Sequence, residues 1–272
     1  MRVGDFEILP VVDGVLTVPA TLFFPTVSEE KWEPYDRFLA APNTIDMPTG
    51  GFLIRGQDVL ALVDVGMGYI ERDPKMGGRL LESLTELGHS ASDITDVLFS
   101  HLHFDHIGWS SKDGVPVFEN ATYRCHSKDW DHFMTQGISQ GPFADYLGLP
   151  GTDQWLGPVE DRIETWDGGS SVLPGINVAD APGHTPGSTI LVISSGAERA
   201  ILLGDAVHCP VEMLDSEFEV VGDVDPELAK RTREAIAKEY EGSDVHIAAP
   251  HFPGMEFGRL MGAEGKRSWV VP

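Results

Sequence analysis

Short apolar runs separated by glycine- and proline-containing turns recur along this chain, and the apolar period switches between two and about three and a half. Residues 6–18 alternate loosely around Asp13-Gly14, a pair suited to a tight turn, and this predicts a hairpin with arms 6–12 and 15–18. Residues 51–55 and 59–64 flank Gly56-Gln57-Asp58 and predict a second hairpin. Leu80, Leu81, Leu84 and Leu87 recur at helical spacing between Gly78 and Gly88, which predicts a helix stopped by glycine. Residues 94–99 form a β-branched apolar run with the character of a buried strand, and 122–125, 176–181, 189–193, 200–203 and 245–249 read as further strands. A helix is predicted from Pro226 to Tyr240, with Asp225 as its cap and apolar Leu228, Ile236 and Tyr240. Strands interleaved with helices over residues 1–272 predict an α/β fold in one domain.

Two stretches break the pattern. Residues 19–49 read as irregular, punctuated by Pro19, Pro25, Pro34, Pro42 and Pro48, with Leu22, Phe23, Phe24, Trp32, Tyr35 and Phe38 scattered among them. Residues 127–160 carry Trp130, Phe133, Met134, Phe143, Tyr146, Leu147 and Trp155, interrupted by Gly137, Gly141 and Gly148, and predict short helices and loops lying over a site. Long aromatic segments of this kind either form the wall of a binding site or pin a loop to the core.

The chemistry gathers at the ends of the strands. Behind the run 94–99 stands Ser100-His101-Leu102-His103-Phe104-Asp105-His106, and in extended chain His101, His103 and Asp105 project to one side. Imidazole and carboxylate together are the donors that a borderline divalent cation prefers. The same placement recurs: His184 follows the strand 176–181, Asp205 follows 200–203, and His251 follows 245–249. Four successive strand ends carrying metal-competent residues point to one shared centre. Asp64, at the end of the second hairpin, is expected to hydrogen-bond backbone or ligand histidines from behind. His126 and His132 are expected to line a wall or face solvent.

Charge narrows the partners. The 272 residues carry 19 basic against 43 acidic side chains, a net charge of -24, which opposes binding to nucleic acid. Cys125 and Cys209 make no C-x-x-C pattern and suit buried thiols in a reducing compartment. Acids at the N-terminus argue against a secretion signal, and no apolar run reaches the ~20 residues a bilayer requires. A cytoplasmic protein without a membrane partner is expected.

These motifs, with Pro182-Gly183-His184-Thr185-Pro186-Gly187, Gly204-Asp205 and Pro250-His251, resemble the metallo-β-lactamase superfamily in order and spacing from about residue 51 to 251. The resemblance implies an αββα sandwich with two divalent metal ions at one edge, zinc first among them, with manganese, iron or cobalt as alternatives. By motif, His101, His103 and His184 would hold the first ion, and Asp105, His106 and His251 the second. Asp205 would bridge the two. A hydroxide shared by the ions would attack a lactone, carboxylic ester or phosphotriester, with Asp105 orienting it and moving a proton. Within the superfamily the chain is similar to the branch holding N-acyl homoserine lactonases and methyl parathion hydrolase. The lactonases usually carry a tyrosine three residues after the bridging aspartate; here His208 stands there, either a donor to substrate or a packed side chain. The resemblance also implies a moderately apolar small-molecule substrate and a homodimer. An iron-dependent, dioxygenase-like oxidoreductase of the same fold and a non-catalytic metal-binding domain are the competing readings. The diiron oxygen-reducing type carries a glutamate where His103 sits.

Overall fold

The computed structural model describes residues 1–71, 75–263 and 265–272. Two mixed sheets lie face to face. Across the first, the strands follow one another as Arg2–Val3, Phe6–Pro19, Thr44–Gly56, Val59–Val63, Asp96–Leu98, Thr122–His126 and Ile163–Trp166. The second runs Ser171–Leu173, Ile176–Asp180, Thr189–Ser195, Glu198–Leu202 and His246–Ala248. Pairing in the first sheet is antiparallel as far as Val59–Val63 and parallel beyond it. In the second only the last pair is parallel.

The period of two assigns each strand's residues to two cores. Phe52, Ile54, Ala61, Val63 and Leu98 of the first sheet meet Val178, Leu191, Ile193, Ala200, Leu202 and Ala248 of the second between the layers. Their neighbours Leu53, Leu62, Val97 and Tyr123 face outward, covered by Leu80, Leu84, Phe133, Trp155 and Leu156. On the opposite flank Ile190, Ile201 and Ile247 are covered by Ile236 and Ala237 of the helix Pro226–Tyr240 and by the front segment. Helix, sheet, sheet, helix is the αββα sandwich. Among the described residues no helix is long and apolar enough to cross a membrane.

Most of the expected elements are present. Gln57 and Asp58 take positive φ (50° and 63°) in the second hairpin, where Gly56 pairs with Val59. Their twist is the one that two-residue hairpin turns require. The first helix covers Leu80–Glu86, and Asp225 caps Pro226–Tyr240 by accepting from the Leu228 amide at 2.9 Å.

Two expectations are corrected. Asp13-Gly14 is not a hairpin turn: Phe6–Pro19 is one strand of 14 residues, and the pair forms a bulge in it. Its partner is Thr44–Gly56, whose first residues belong to the stretch expected to be irregular. The rest of that stretch is also ordered, as a helical turn Ala20–Phe23 and a 3-10 segment Glu29–Phe38. Phe24, Trp32 and Phe38 are buried, and Phe24 and Trp32 pack edge-on against Phe218, so the front aromatics mainly pin this segment to the core.

The bulge has a use that turn statistics do not show. It points Asp13 inward, where the carboxylate accepts from the amides of Met67, Gly68, Gly78 and Leu80 at 2.8 to 3.0 Å and from the Trp109 indole at 2.8 Å. Burial pushes its pKa up, and these donors pull against that shift. One carboxylate thereby satisfies the loop behind residue 64, the start of the first helix and the segment after His106. Replacing Asp13 by Ala leaves five donors, four of them buried, without an acceptor. We expect the unfolding free energy to fall by about 3 kcal/mol or more. Urea denaturation of the two proteins measures this, and an unchanged midpoint refutes the assignment.

Candidate metal centre

Every donor sits where a strand runs out. Asp96–Leu98 leads through Phe99 and Ser100 into His101, and His103 caps the short helix Phe104–Ile107, which carries Asp105 and His106. His184, Asp205 and His251 follow Ile176–Asp180, Glu198–Leu202 and His246–Ala248. Because these strands neighbour one another across the sandwich, their ends share one edge, and the donors converge. Gly204 is required for this: at φ 54° it turns the chain beside Ser100, whose Cβ a side chain there would meet at 2.5 Å.

The convergence is tight. His103 Nδ1 lies 2.8 Å from His184 Nε2 and 3.1 Å from His101 Nε2. Asp205 Oδ2 lies 3.3 Å from Nε2 of each of His106, His208 and His251, 3.6 Å from His184 Nε2 and 3.8 Å from His101 Nε2. Asp105 Oδ2 lies 3.3 Å from His251 Nε2 and 3.9 Å from His106 Nε2. Among the described residues, four sets of three donors have their ligand atoms within 4.8 Å of one another: His101/His103/His184, His101/His106/Asp205, Asp105/His106/His251 and His184/Asp205/His208.

The outward-facing nitrogens are anchored, and this fixes which nitrogen looks inward. His106 Nδ1 donates to Asp64 Oδ2 at 2.9 Å. Ser100 Oγ donates to the same oxygen at 2.8 Å and sits 3.1 Å from His101 Nδ1, so the His101 proton lies on Nδ1. His184 Nδ1 donates to Asp223 at 3.0 Å, and His251 Nδ1 to the Pro48 carbonyl at 2.8 Å. Each of these four imidazoles therefore turns Nε2 to the centre.

The electrostatics divide the histidines. Burial lowers the pKa of His101 and His184 and takes His103 down to about 3, so these three present lone pairs. Burial opposes charge on His106, His208 and His251 too, but Asp205 and the other carboxylates outweigh it. His208 is raised to about 9, His251 to about 10, and His106 well above its ordinary value. Asp105 and Asp205 stay ionised against burial because of these neighbours. His106 Nε2 and Asp205 Oδ1 are buried without a hydrogen-bond partner. Close nitrogen lone pairs, ionised buried carboxylates and unpartnered donors are what a bound cation satisfies, so this donor set fits divalent metal.

The expected site residues His101, His103, Asp105, His106, His184, Asp205, His208 and His251 are thus brought together. His208 is 3% exposed with Nε2 toward Asp205, which places it in the donor cluster beside His184 and Asp205. His126 is buried beside Asp180, and His132 lies on a π-helical turn; neither belongs to the donor groups. Sequence reasoning missed the residues that hold the ligand loops. Asp129 accepts from the Leu102 amide (3.0 Å), the Thr185 hydroxyl (2.9 Å) and the Gly187 amide (2.6 Å), tying the loop of His101 to that of His184. Burial raises its pKa to about 6. Asp223, Glu212 and Arg233 were also missed. The available signal was Arg233 itself, a charged residue on the helix face that buries Ala229, Ile236 and Ala237.

Two aromatic rings flank the centre. Phe133 lies edge-on to His103 and Phe23 to His208, each at 5.5 Å between ring centres. Leu22, Val221 and Val224 are exposed, and the amides of Val221 and Val224 bond the carbonyls of Phe23 and His184 at 3.0 Å.

A family model described as the metallo-beta-lactamase superfamily matches residues 51–241. The N-acyl homoserine lactonase AiiA of Bacillus thuringiensis subsp. kurstaki is 25% identical over 223 residues, covering 74% of this chain and 81% of the relative. Among solved structures, the dizinc quorum-quenching lactonase AidC, with a product bound, superposes with a TM-score of 0.85 at 26% identity, over 100% of this chain and 96% of its own. The hydrolase AbOPH of the beta lactamase superfamily gives 0.87 at 26% identity over the same shares.

Loading the metal-free protein with zinc at a thousandfold excess over the dissociation constant raises its unfolding free energy by about 4 kcal/mol. Asp64→Ala weakens zinc binding about 10- to 100-fold by freeing His106 and Ser100. Thermal unfolding with and without a chelator checks the first and equilibrium dialysis the second; no stabilisation by zinc would rule out the centre.

Proposed function

This chain belongs to the metallo-beta-lactamase superfamily, and we propose that it hydrolyses a small, moderately apolar ester-type substrate with the help of two divalent cations, zinc first among the candidates. The observation that carries the reading is Asp205, whose Oδ2 lies within 3.8 Å of five imidazole nitrogens, two from each donor set and that of His208. His101, His103 and His184 would hold one cation, Asp105, His106 and His251 the other, with Asp205 between them. Such a pair supplies, when bound, a strong water-derived nucleophile at neutral pH and draws charge from the reacting oxygen of the substrate.

The protein's own groups supply the rest. Asp105 is the more exposed carboxylate, its side chain 15% accessible against 4% for Asp205. It is the group that can pass a proton between the reaction centre and solvent. His208 stands where the lactonases of the resembling branch carry tyrosine. Its Nε2 lies 3.3 Å from Asp205 Oδ2, which puts a ring N–H where it could donate to an oxyanion formed beside that carboxylate. Phe23 and Phe133 flank the donors, and exposed Leu22, Val221 and Val224 continue that surface. These favour an acyl or aryl group over a charged one, and the charge of -24 disfavours polyanions. The lactonase relatives and the AidC likeness put lactones first, ahead of carboxylic esters and phosphotriesters. A cytoplasmic setting suits the two free, buried thiols.

A panel of lactones, aryl esters and phosphotriesters assayed on metal-quantified protein identifies the substrate class. Asp205→Asn should lose most activity and at least one equivalent of metal. His208→Gln should keep the metal and lower kcat about 100-fold. Undiminished kcat in the second variant would remove His208 from catalysis.

A further inference from the structure

The helix Pro226–Tyr240 stands behind the loop that carries His184, and its lead-in and first turns grip that loop at several points. The amides of Val224 and Asp225 bond the carbonyls of His184 and Gly183 at 3.0 and 2.9 Å. The Thr232 hydroxyl donates to the Pro182 carbonyl at 2.7 Å. A Cβ at Gly183 would fall 2.3 Å from the Ala229 amide nitrogen, so the loop and the helix are in direct backbone contact. One further link runs to a ligand side chain: Asp223 Oδ1 accepts from His184 Nδ1 at 3.0 Å.

Behind Asp223 lies Arg233, 3% exposed. Its Nη2 donates to Asp223 Oδ2 at 3.0 Å, and its Nε lies 3.4 Å from Glu212 Oε1. Glu212 in turn accepts from the backbone amides of His208 (2.6 Å) and Cys209 (2.9 Å), closing the turn that starts at Asp205. One guanidinium thus stands between two buried carboxylates: one orients a metal-facing histidine, and the other shapes the loop bearing Asp205 and His208. Both carboxylates are shielded from water, with side-chain exposures of 1% and 0%. Without a cation between them neither is well held, since a buried charge that loses its partner is strongly disfavoured.

We infer that Arg233 is a positioning residue for the metal centre, acting through Asp223 on His184 and through Glu212 on the turn of His208. This deepens the proposed function and rests on it, because it concerns the same centre. The planar guanidinium is the side chain that reaches both carboxylates from one position; a lysine carries the charge but offers a single point of contact.

The test measures zinc affinity by equilibrium dialysis on metal-free protein, beside kinetics on the loaded enzyme. The proteins are wild type, Asp223→Asn, Arg233→Lys and the double variant, each with its metal-free unfolding midpoint recorded. Asp223→Asn should weaken the tighter zinc site about 10- to 100-fold, the range for a lost partner of a metal-bound histidine. Arg233→Lys should weaken it by a smaller factor at a nearly unchanged midpoint, and the double variant should lose less than the product of the two single losses, because part of the Arg233 effect runs through Asp223. Arg233→Met tests the same point with the charge removed. Should it fail to fold, the Lys and Asn variants carry the test. Affinity unchanged in Arg233→Lys, or losses that multiply in the double variant, overturns the inference while the metal centre stands. Absence of zinc uptake by the wild type overturns the centre and the inference together.

Discussion

Two carboxylates, buried Asp205 and the partly exposed Asp105, sit among imidazoles that are nearly all buried. Such a cluster is held together only by cations. In the protein alone that role falls to protons, which is why His106, His208 and His251 are pulled toward the charged form while His101, His103 and His184 are pushed away from it. Neighbouring imidazoles would repel if all were charged, and neighbouring carboxylates would repel if none were. The site is poised between those limits, and a divalent cation, concentrating positive charge and accepting several lone pairs, relieves both at once.

Most of the remaining structure serves to hold that arrangement in place. The sandwich brings strand ends from both sheets to one edge, so that donors far apart in the chain meet. Each ligand loop then has its own buried acceptor. Asp64 holds Ser100 and His106, Asp129 ties the loop of residue 101 to that of residue 184, and Asp223 with Arg233 holds His184. Asp13 does the same one layer further out, gathering N–H groups from three segments. Loops cannot satisfy one another by a regular ladder, so single carboxylates accepting several N–H groups replace it. These acids are spent inside the molecule and do not contribute to its acidic surface.

Legibility differed from element to element. The parallel strand Asp96–Leu98 announces itself because Val97 and Leu98, on opposite faces, are both buried and both apolar. The hairpin at Gln57-Asp58 was equally plain, since its turn demands residues that tolerate positive φ. Asp13-Gly14 misled for the same reason: the pair fits a turn and a bulge alike. Which one forms depends on whether Thr44–Gly56, some thirty residues away, pairs along the whole of Phe6–Pro19. The proline-rich front segment looked irregular because its order comes from packing Phe24, Trp32 and Phe38 under Phe218, a contact between distant parts of the chain.

The sequence by itself determined the donor inventory and its location at strand ends, because ligand chemistry resides in residue type and strand ends follow from local hydrophobic period. It also determined the alternation of strand and helix that makes an α/β sandwich. Only the tertiary structure decided which nitrogen of each histidine looks inward, because that depends on a hydrogen bond to a residue from another segment: Asp64 for His106, Asp223 for His184, the Pro48 carbonyl for His251. It alone decided that His208 turns Nε2 toward Asp205. Side-chain direction at a loop is set by long-range packing, and no local pattern encodes that.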